Sequence, residues 1–106
     1  MAREGAGRLK YSALKTADAL IRTGWLEFFG ITISTDGSNA VTVDLHDGTT
    51  VAGDKICPTL YFPATPQTQS FGIAPGVECE HGLYVNITVA GAGTCSYTIY
   101  YYAVGG

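Results

Sequence analysis

The chain has 106 residues, the length of one domain. At that size roughly 65% of the unfolded surface can be buried, so a modest core forms without metals or disulfides. Charged residues make up only 14% of the sequence, against ~25% for an average soluble protein, and glycine fills 14 positions. Low charge with abundant Gly, Thr, Val and Tyr predicts an all-β domain with tight turns. A poorly charged surface also suggests that part of it is covered in an assembly. Nothing approaches the ~20 apolar residues of a membrane span, so no membrane partner is expected. Cys57, Cys79 and Cys95 are an odd count without C-x-x-C spacing, which argues against a disulfide framework and a structural zinc site.

The net charge of −3 hides an asymmetry. Arg3, Arg8, Lys10, Lys15 and Arg22, set against Glu4 and Asp18, give the first 22 positions +3, and Lys55 against seven acids gives the remainder −6. A basic arm over residues 1–18 therefore precedes an acidic body over 19–106. Either the arm docks on an acidic partner or it is a solvated terminus. Nucleic acid is not expected, since the body would repel phosphate and no aromatic residues interleave with the basic ones. The opening MAREGAGRLKYSA has charges but no apolar h-region, which predicts synthesis in a cytoplasm and reduced cysteines.

In chain order, residues 1–11 read as a flexible arm. Leu14, Ala17, Leu20 and Ile21 fit a helical stripe with Ser12 as N-cap and Gly24 as stop. Strands on either side of a turn at Gly24 are the preferred reading of residues 19–33, with room for a short helix before them. Trp25–Ser34 is a strand bulged at Gly30. Asp36-Gly37-Ser38-Asn39 is a turn. In the strand at 40–46, Val41, Val43 and Leu45 share one face, and Thr42, Asp44 and His46 the other. Asp47-Gly48 and Gly53-Asp54 bracket a loop. Lys55–Phe62 is a strand that tolerates Pro58 only at an edge or bulge. Pro63–Pro66 breaks it, Gln69–Ile73 is a short strand, Pro75-Gly76 a turn, and Val77–Glu80 a brief pairing. Residues 82–104 read as a closing hairpin: Leu83, Val85, Ile87 and Val89 alternate with Tyr84, Asn86 and Thr88, and the second strand is apolar or aromatic on both faces. Seven or eight short strands at this spacing predict an antiparallel β-sandwich or jelly-roll with a flexible N-terminal arm.

ALIRTG, a strand and GITIS, then TDGSNAVTVDLHDGTTVAG, a Pro-rich middle and HGLYVNITVAGAGTCSYTIYYY, together resemble small β-sandwich virion proteins of tailed bacteriophages. The resemblance covers residues 19–102, and its most specific pieces are DGSNAVTVDLHDGT and GLYVNITVAGAGT. His46 stands where an aromatic is expected, and the basic arm and Trp25 are particular to this chain. The resemblance implies a non-enzymatic structural protein on the capsid surface, made in the bacterial host cytoplasm, that decorates or cements the assembled head. Its partner would be the major capsid protein, and it would form a homo-oligomer, a trimer or else a dimer. The competing role is a tail-fibre-associated carbohydrate- or receptor-binding module.

Candidate chemistry is sparse. Asp44, His46, Asp47 and Asp54 crowd one turn, but their spacing matches no EF-hand, and turn capping is the preferred reading. Cys79-Glu80-His81 with Cys57 has the wrong spacing for zinc; buried or semi-buried thiols are the preferred reading, with a Cys57–Cys79 disulfide ahead of zinc as the alternative. Asn86-Ile87-Thr88 fits a glycosylation sequon within a strand and is read as coincidence. G-x-S-x-G is absent and the two histidines lack partners of defined spacing, so neither an enzyme nor a cofactor is expected. The aromatic residues are the remaining concentration. Tyr100 and Tyr102 occupy one strand face and Tyr97 and Tyr101 the other. Such rows are usually sandwich core or cross-strand pairs; with Trp25 these tyrosines are also the candidates for a subunit interface, since Tyr and Trp are enriched there, or for stacking on sugar rings. Arg3, Arg8, Lys10 and Lys15 are the candidates for capsid contact.

Overall fold

Period-two alternation is realised as nine strands in two antiparallel sheets; the computed structural model describes residues 8–89 and 94–103. The strands are β1 (Arg8–Tyr11), β2 (Ala19–Thr23), β3 (Leu26–Thr35), β4 (Val41–Asp47), β5 (Asp54–Lys55), β6 (Leu60–Phe62), β7 (Gln67–Cys79), β8 (Gly82–Val89) and β9 (Cys95–Ala103). One sheet has the order β1-β9-β3-β7, and the other β2-β8-β4-β5, with β6 also on β4. β5 and β6 lie along the same side of β4 as one strand interrupted between Lys55 and Leu60, where Pro58 sits. Counted so, there are eight strands, and nearly every connection passes from one sheet to the other. That interleaving is a jelly-roll.

Sandwiching dictates the core. Leu26, Phe28, Ile31, Ile33, Tyr97 and Ile99 of the first sheet face Val41, Val43, Leu45, Leu83 and Val85 of the second, all at most 2% exposed. Fully burying each such side chain is worth about 1.5–3 kcal/mol. On β3 the inward positions change from even to odd numbers between Phe28 and Ile31, which the bulge at Phe28/Gly30 makes possible. Only glycine fits there, since a Cβ on Gly30 would lie 2.5 Å from the carbonyl oxygen of Phe71.

Four expectations are corrected. The closing hairpin does not form: β8 pairs with β2 and β4, and β9 pairs with β1 and β3, so the connection arches across the sandwich. The glycine-alanine turn itself lies outside the described residues. The turn at Pro75-Gly76 does not end a strand: β7 continues past it as a bulge, taking five residues from Gly72 to Val77 against two of β3, with Gly76 at a φ of 114°. Proline is tolerated because β7 is an edge strand. Lys55–Phe62 is split rather than continuous. Lastly, the arm over 1–18 is part of the sandwich from residue 8. β1 pairs with β9, from Arg8↔Ala103 to Tyr11↔Tyr100, and no helix forms at residues 12–18. The Ser12 N–H donates to the Ile99 carbonyl at 2.9 Å, and Lys15 and Tyr97 exchange backbone bonds of 2.9 and 2.8 Å. Unpaired backbone groups on β9 would be costly, and this segment satisfies them.

Candidate interaction surface

Alternation along β9 turns Ser96, Thr98, Tyr100 and Tyr102 to the outside of the first sheet. Register places Leu9 beside Tyr102 and Tyr11 beside Tyr100 on β1, and Thr32 beside Thr98 and Ser34 beside Ser96 on β3. β7 adds Ser70 opposite Thr32 and Thr68 opposite Ser34. Thr32 Oγ1 shares hydrogen bonds with Ser70 Oγ at 2.9 Å and with Tyr100 OH at 3.1 Å. Ser34 Oγ and Thr68 Oγ1 form a parallel rung at 2.9 Å. Trp25 closes the other end, edge-on to Tyr102 with ring centroids 6.2 Å apart and an interplanar angle of 87°. Its indole N–H donates to Glu78 Oε2 at 2.6 Å, which fixes the ring beside the sheet. The outer face is thus a hydroxyl ladder at one end and an aromatic cluster at the other. Tyr11 is 76% and Leu9 59% exposed.

The expected interface residues divide across the sheet. Trp25, Tyr100 and Tyr102 lie on the outer face, half-buried. Tyr97 does not: at 1% exposure it is core, and burial pushes its phenol pKa up. Tyr101 packs against the same core. Their inward parity was legible from the sequence, but which face met the second sheet was not. Of the basic set, Arg8 opens β1, Lys10 lies opposite Tyr101 and Lys15 bridges to Tyr97. They follow one another along the β1 edge, Lys10 and Lys15 out of phase with the outward Leu9 and Tyr11 and so on the other face from the aromatic cluster, and Arg3 lies outside the described residues. Sequence reasoning missed Leu9, Tyr11 and the hydroxyl ladder. The signal was the i, i+2 spacing of Thr32/Ser34 and Thr68/Ser70.

Other candidates resolve into scaffold chemistry. Asp44 accepts from Thr59 Oγ1 and pairs with Lys55 at 3.1 Å, and these contacts hold its carboxyl below the usual range. Asp47 accepts from the backbone N–H of Glu80 at 3.2 Å and of His81 at 2.8 Å, tying the β7–β8 turn to the end of β4. The open hollow beside it, about 370 Å³, includes Gly48, Gly53, Asp54 and His81 in its lining. His46 is buried with Nδ1 2.9 Å from the Gly53 carbonyl, so that nitrogen carries the proton and pins the loop. Among the described residues no three His, Cys, Asp or Glu are grouped to hold a metal ion. All three thiols are free, so the alternative of a Cys57–Cys79 disulfide is not realised. Asn86 stands opposite Asp44 in the middle of a sheet, half-buried. Compared with known proteins, the chain matches no family model and no curated sequence.

Proposed function

We propose that the protein is a non-catalytic virion structural subunit of a tailed bacteriophage. In this reading it decorates or cements the head through the outer face of the β1-β9-β3-β7 sheet. One observation carries this: a contiguous face of Tyr, Trp, Ser and Thr runs across four strands. Tyr and Trp give large contact area at low conformational cost, and Ser and Thr give adaptable hydrogen bonds. Such a surface suits docking on a polar, wet protein surface better than an obligate apolar interface. Arg8, Lys10 and Lys15 on the adjoining edge add attraction to an acidic shell. Binding only the assembled shell shifts assembly towards it by mass action. Jelly-rolls are also found in viral capsid domains, which is support by fold analogy alone.

The test is co-sedimentation with purified shells. Tyr11→Ala, at an exposed position, and Tyr100→Ala should each weaken binding about tenfold or more, as central aromatics do. Lys15→Glu should weaken it most at low salt. Binding unchanged in both tyrosine variants, or absent in the wild type, defeats the reading.

The exposure of Tyr11 beside a hydroxyl-lined face favours one second reading, a tail-fibre-associated carbohydrate- or receptor-binding module. Copy number separates the two: decoration needs many copies per particle, a tail tip only a few. Quantitative mass spectrometry of the virion measures it.

A further inference from the structure

The four open edges of this sandwich are not treated alike. Strand edges invite pairing with other chains, and proteins blunt them with shortness, charge, proline or bulges. β1 is 4 residues long and includes Arg8 and Lys10. β2 has 5 residues, contains Arg22, and slips register between Leu20 and Arg22. The β5/β6 edge is broken into pieces of 2 and 3 residues around Pro58 and carries Lys55. β7 is 13 residues long, and its first part is unguarded. Residues 67–72 read QTQSFG, without a charge or a proline, and pair with β3 in regular register from Thr35↔Gln67 to Gly30↔Gly72.

This stretch also overhangs the second sheet. Phe71 shares the inner face with Ile31, yet it is 40% exposed and meets Phe62 edge-on with centroids 5.9 Å apart. Gln69, also on the inner face, is exposed, and its amide donates to Gln67 Oε1 at 2.5 Å. The strand therefore presents unpaired backbone groups along its free edge and a half-covered ring beneath them.

We propose that residues 67–72 pair antiparallel with the same segment of a second copy about a two-fold axis, joining two four-stranded sheets into one of eight strands. A second copy fits for a physical reason. Under a two-fold axis a strand is its own complement, and a segment without charge meets its copy without repulsion. Residues directly opposite in an antiparallel pair share a face, so the axis must pass through a residue rather than between two. At Gln69 it places Phe71 beside the other copy's Gln67, and at Ser70 beside the other copy's Gln69. Either register adds cover to the exposed ring and satisfies the free edge. The other three edges lack this combination. The proposal is independent of the capsid reading: it rests on the backbone edge of β7 and involves neither the aromatic cluster nor the basic edge.

Sedimentation of the full chain tests it. The wild type should run at twice its 11.1 kDa. Gln69→Lys and Ser70→Lys, each setting like charges against one another across the axis, should weaken the dimer about tenfold or more. Both positions are exposed, so circular dichroism should stay unchanged. Thr98→Lys, on the outer face, should leave the dimer intact. Hydrogen exchange gives a readout without mutation: amide protection in residues 67–72 should rise with protein concentration. A wild type that is monomeric throughout overturns the proposal. So does an oligomer that survives both β7 lysines, or one that Thr98→Lys alone dissociates.

Discussion

The hydroxyl of Tyr97 donates a 2.6 Å hydrogen bond to the carbonyl of Ala17, 80 residues earlier in the chain. The bond joins the middle of β9 to the segment that leads into β2, so it ties the two sheets together at the end of the sandwich. It also explains how a phenol can be 1% exposed, since a buried hydroxyl without a partner would be costly. Tyr97→Phe keeps the ring and leaves the Ala17 carbonyl without its donor. Urea denaturation should show a loss of about 1–2 kcal/mol. An unchanged midpoint would mean that water replaces the hydroxyl.

Gly30 is a second point where the fold has no slack. An added Cβ would meet the Phe71 carbonyl oxygen at 2.5 Å and the Gly72 Cα at 3.2 Å, both of them backbone atoms. Backbone cannot rotate away as a long side chain can, so β3 and β7 must separate locally. Gly30→Ala should cost about 1–3 kcal/mol, the usual range for forced overpacking. Thermal melting with near-ultraviolet circular dichroism checks it, and hydrogen exchange should show the loosening where β7 faces Gly30.

Faces and turns were legible in the sequence, and neighbours were not. A period of two says that Val41, Val43 and Leu45 share a side, and it locates the bulge at Gly30, where the inward phase changes. It does not say which strand lies alongside. The glycine-rich connection after β8 suits a hairpin and a cross-sandwich arch equally, so the closing hairpin was the natural reading and the wrong one. Pro75-Gly76 signals a turn in isolation, but on this edge strand it falls in a bulge: β7 takes five residues from Gly72 to Val77 against two of β3, with Gly76 at a φ of 114°, and regular pairing holds on either side. β1 escaped notice because backbone hydrogen bonds hold much of it, and its Leu9 and Tyr11 point outward. The tyrosine split was read correctly by parity. What settled it was that Tyr97 shares the core with Leu83 and Val85 of the opposite sheet.

Acid should weaken the turn after β3. The Asp36 carboxylate accepts backbone N–H bonds from Ser38 at 2.9 Å and Thr94 at 3.0 Å, and these hold its pKa below the ordinary 3.8. A carboxyl with a depressed folded pKa binds its proton less tightly when folded than when unfolded. Its contribution is therefore present above 3.8 and lost as pH falls through the lower, folded value. Asp44, also depressed, adds in the same direction. Asp36→Asn should reduce stability at pH 7 and flatten the decline between about pH 4 and pH 2. Urea midpoints measured across that range decide it, and an equally steep acid limb in the variant would contradict it.

Thiol chemistry should follow burial. Burial raises all three cysteine pKa values, that of Cys79 to about 11, so the reactive thiolate is scarce at neutral pH. Cys57 is half-exposed, whereas Cys79 and Cys95 are buried at 0% and 5% exposure. Iodoacetamide at pH 8 should therefore modify Cys57 first and slowly, with Cys79 and Cys95 following only in denaturant. Peptide mass spectrometry reads the order directly. Prompt labelling of Cys79 in the native protein would mean that β7 opens readily at its C-terminal end.

Trp25 allows docking on the face to be told from pairing at the edge without any label. It is the single tryptophan, half-buried, and held by Tyr102 and Glu78 at the end of β7 away from residues 67–72. Along β3, Glu27 opposite Glu78 and Ile33 opposite Gln69 are six residues apart, about 20 Å at the usual rise. A partner that covers the outer face should shift Trp25 emission to the blue and cut its quenching by acrylamide. Dimerisation through residues 67–72 should change neither. Titrating the protein against itself should therefore leave the emission flat while the mass doubles, and adding shells should shift it. A blue shift on self-association alone would place the second copy on the aromatic cluster and move the dimer contact from the β7 edge to the sheet face.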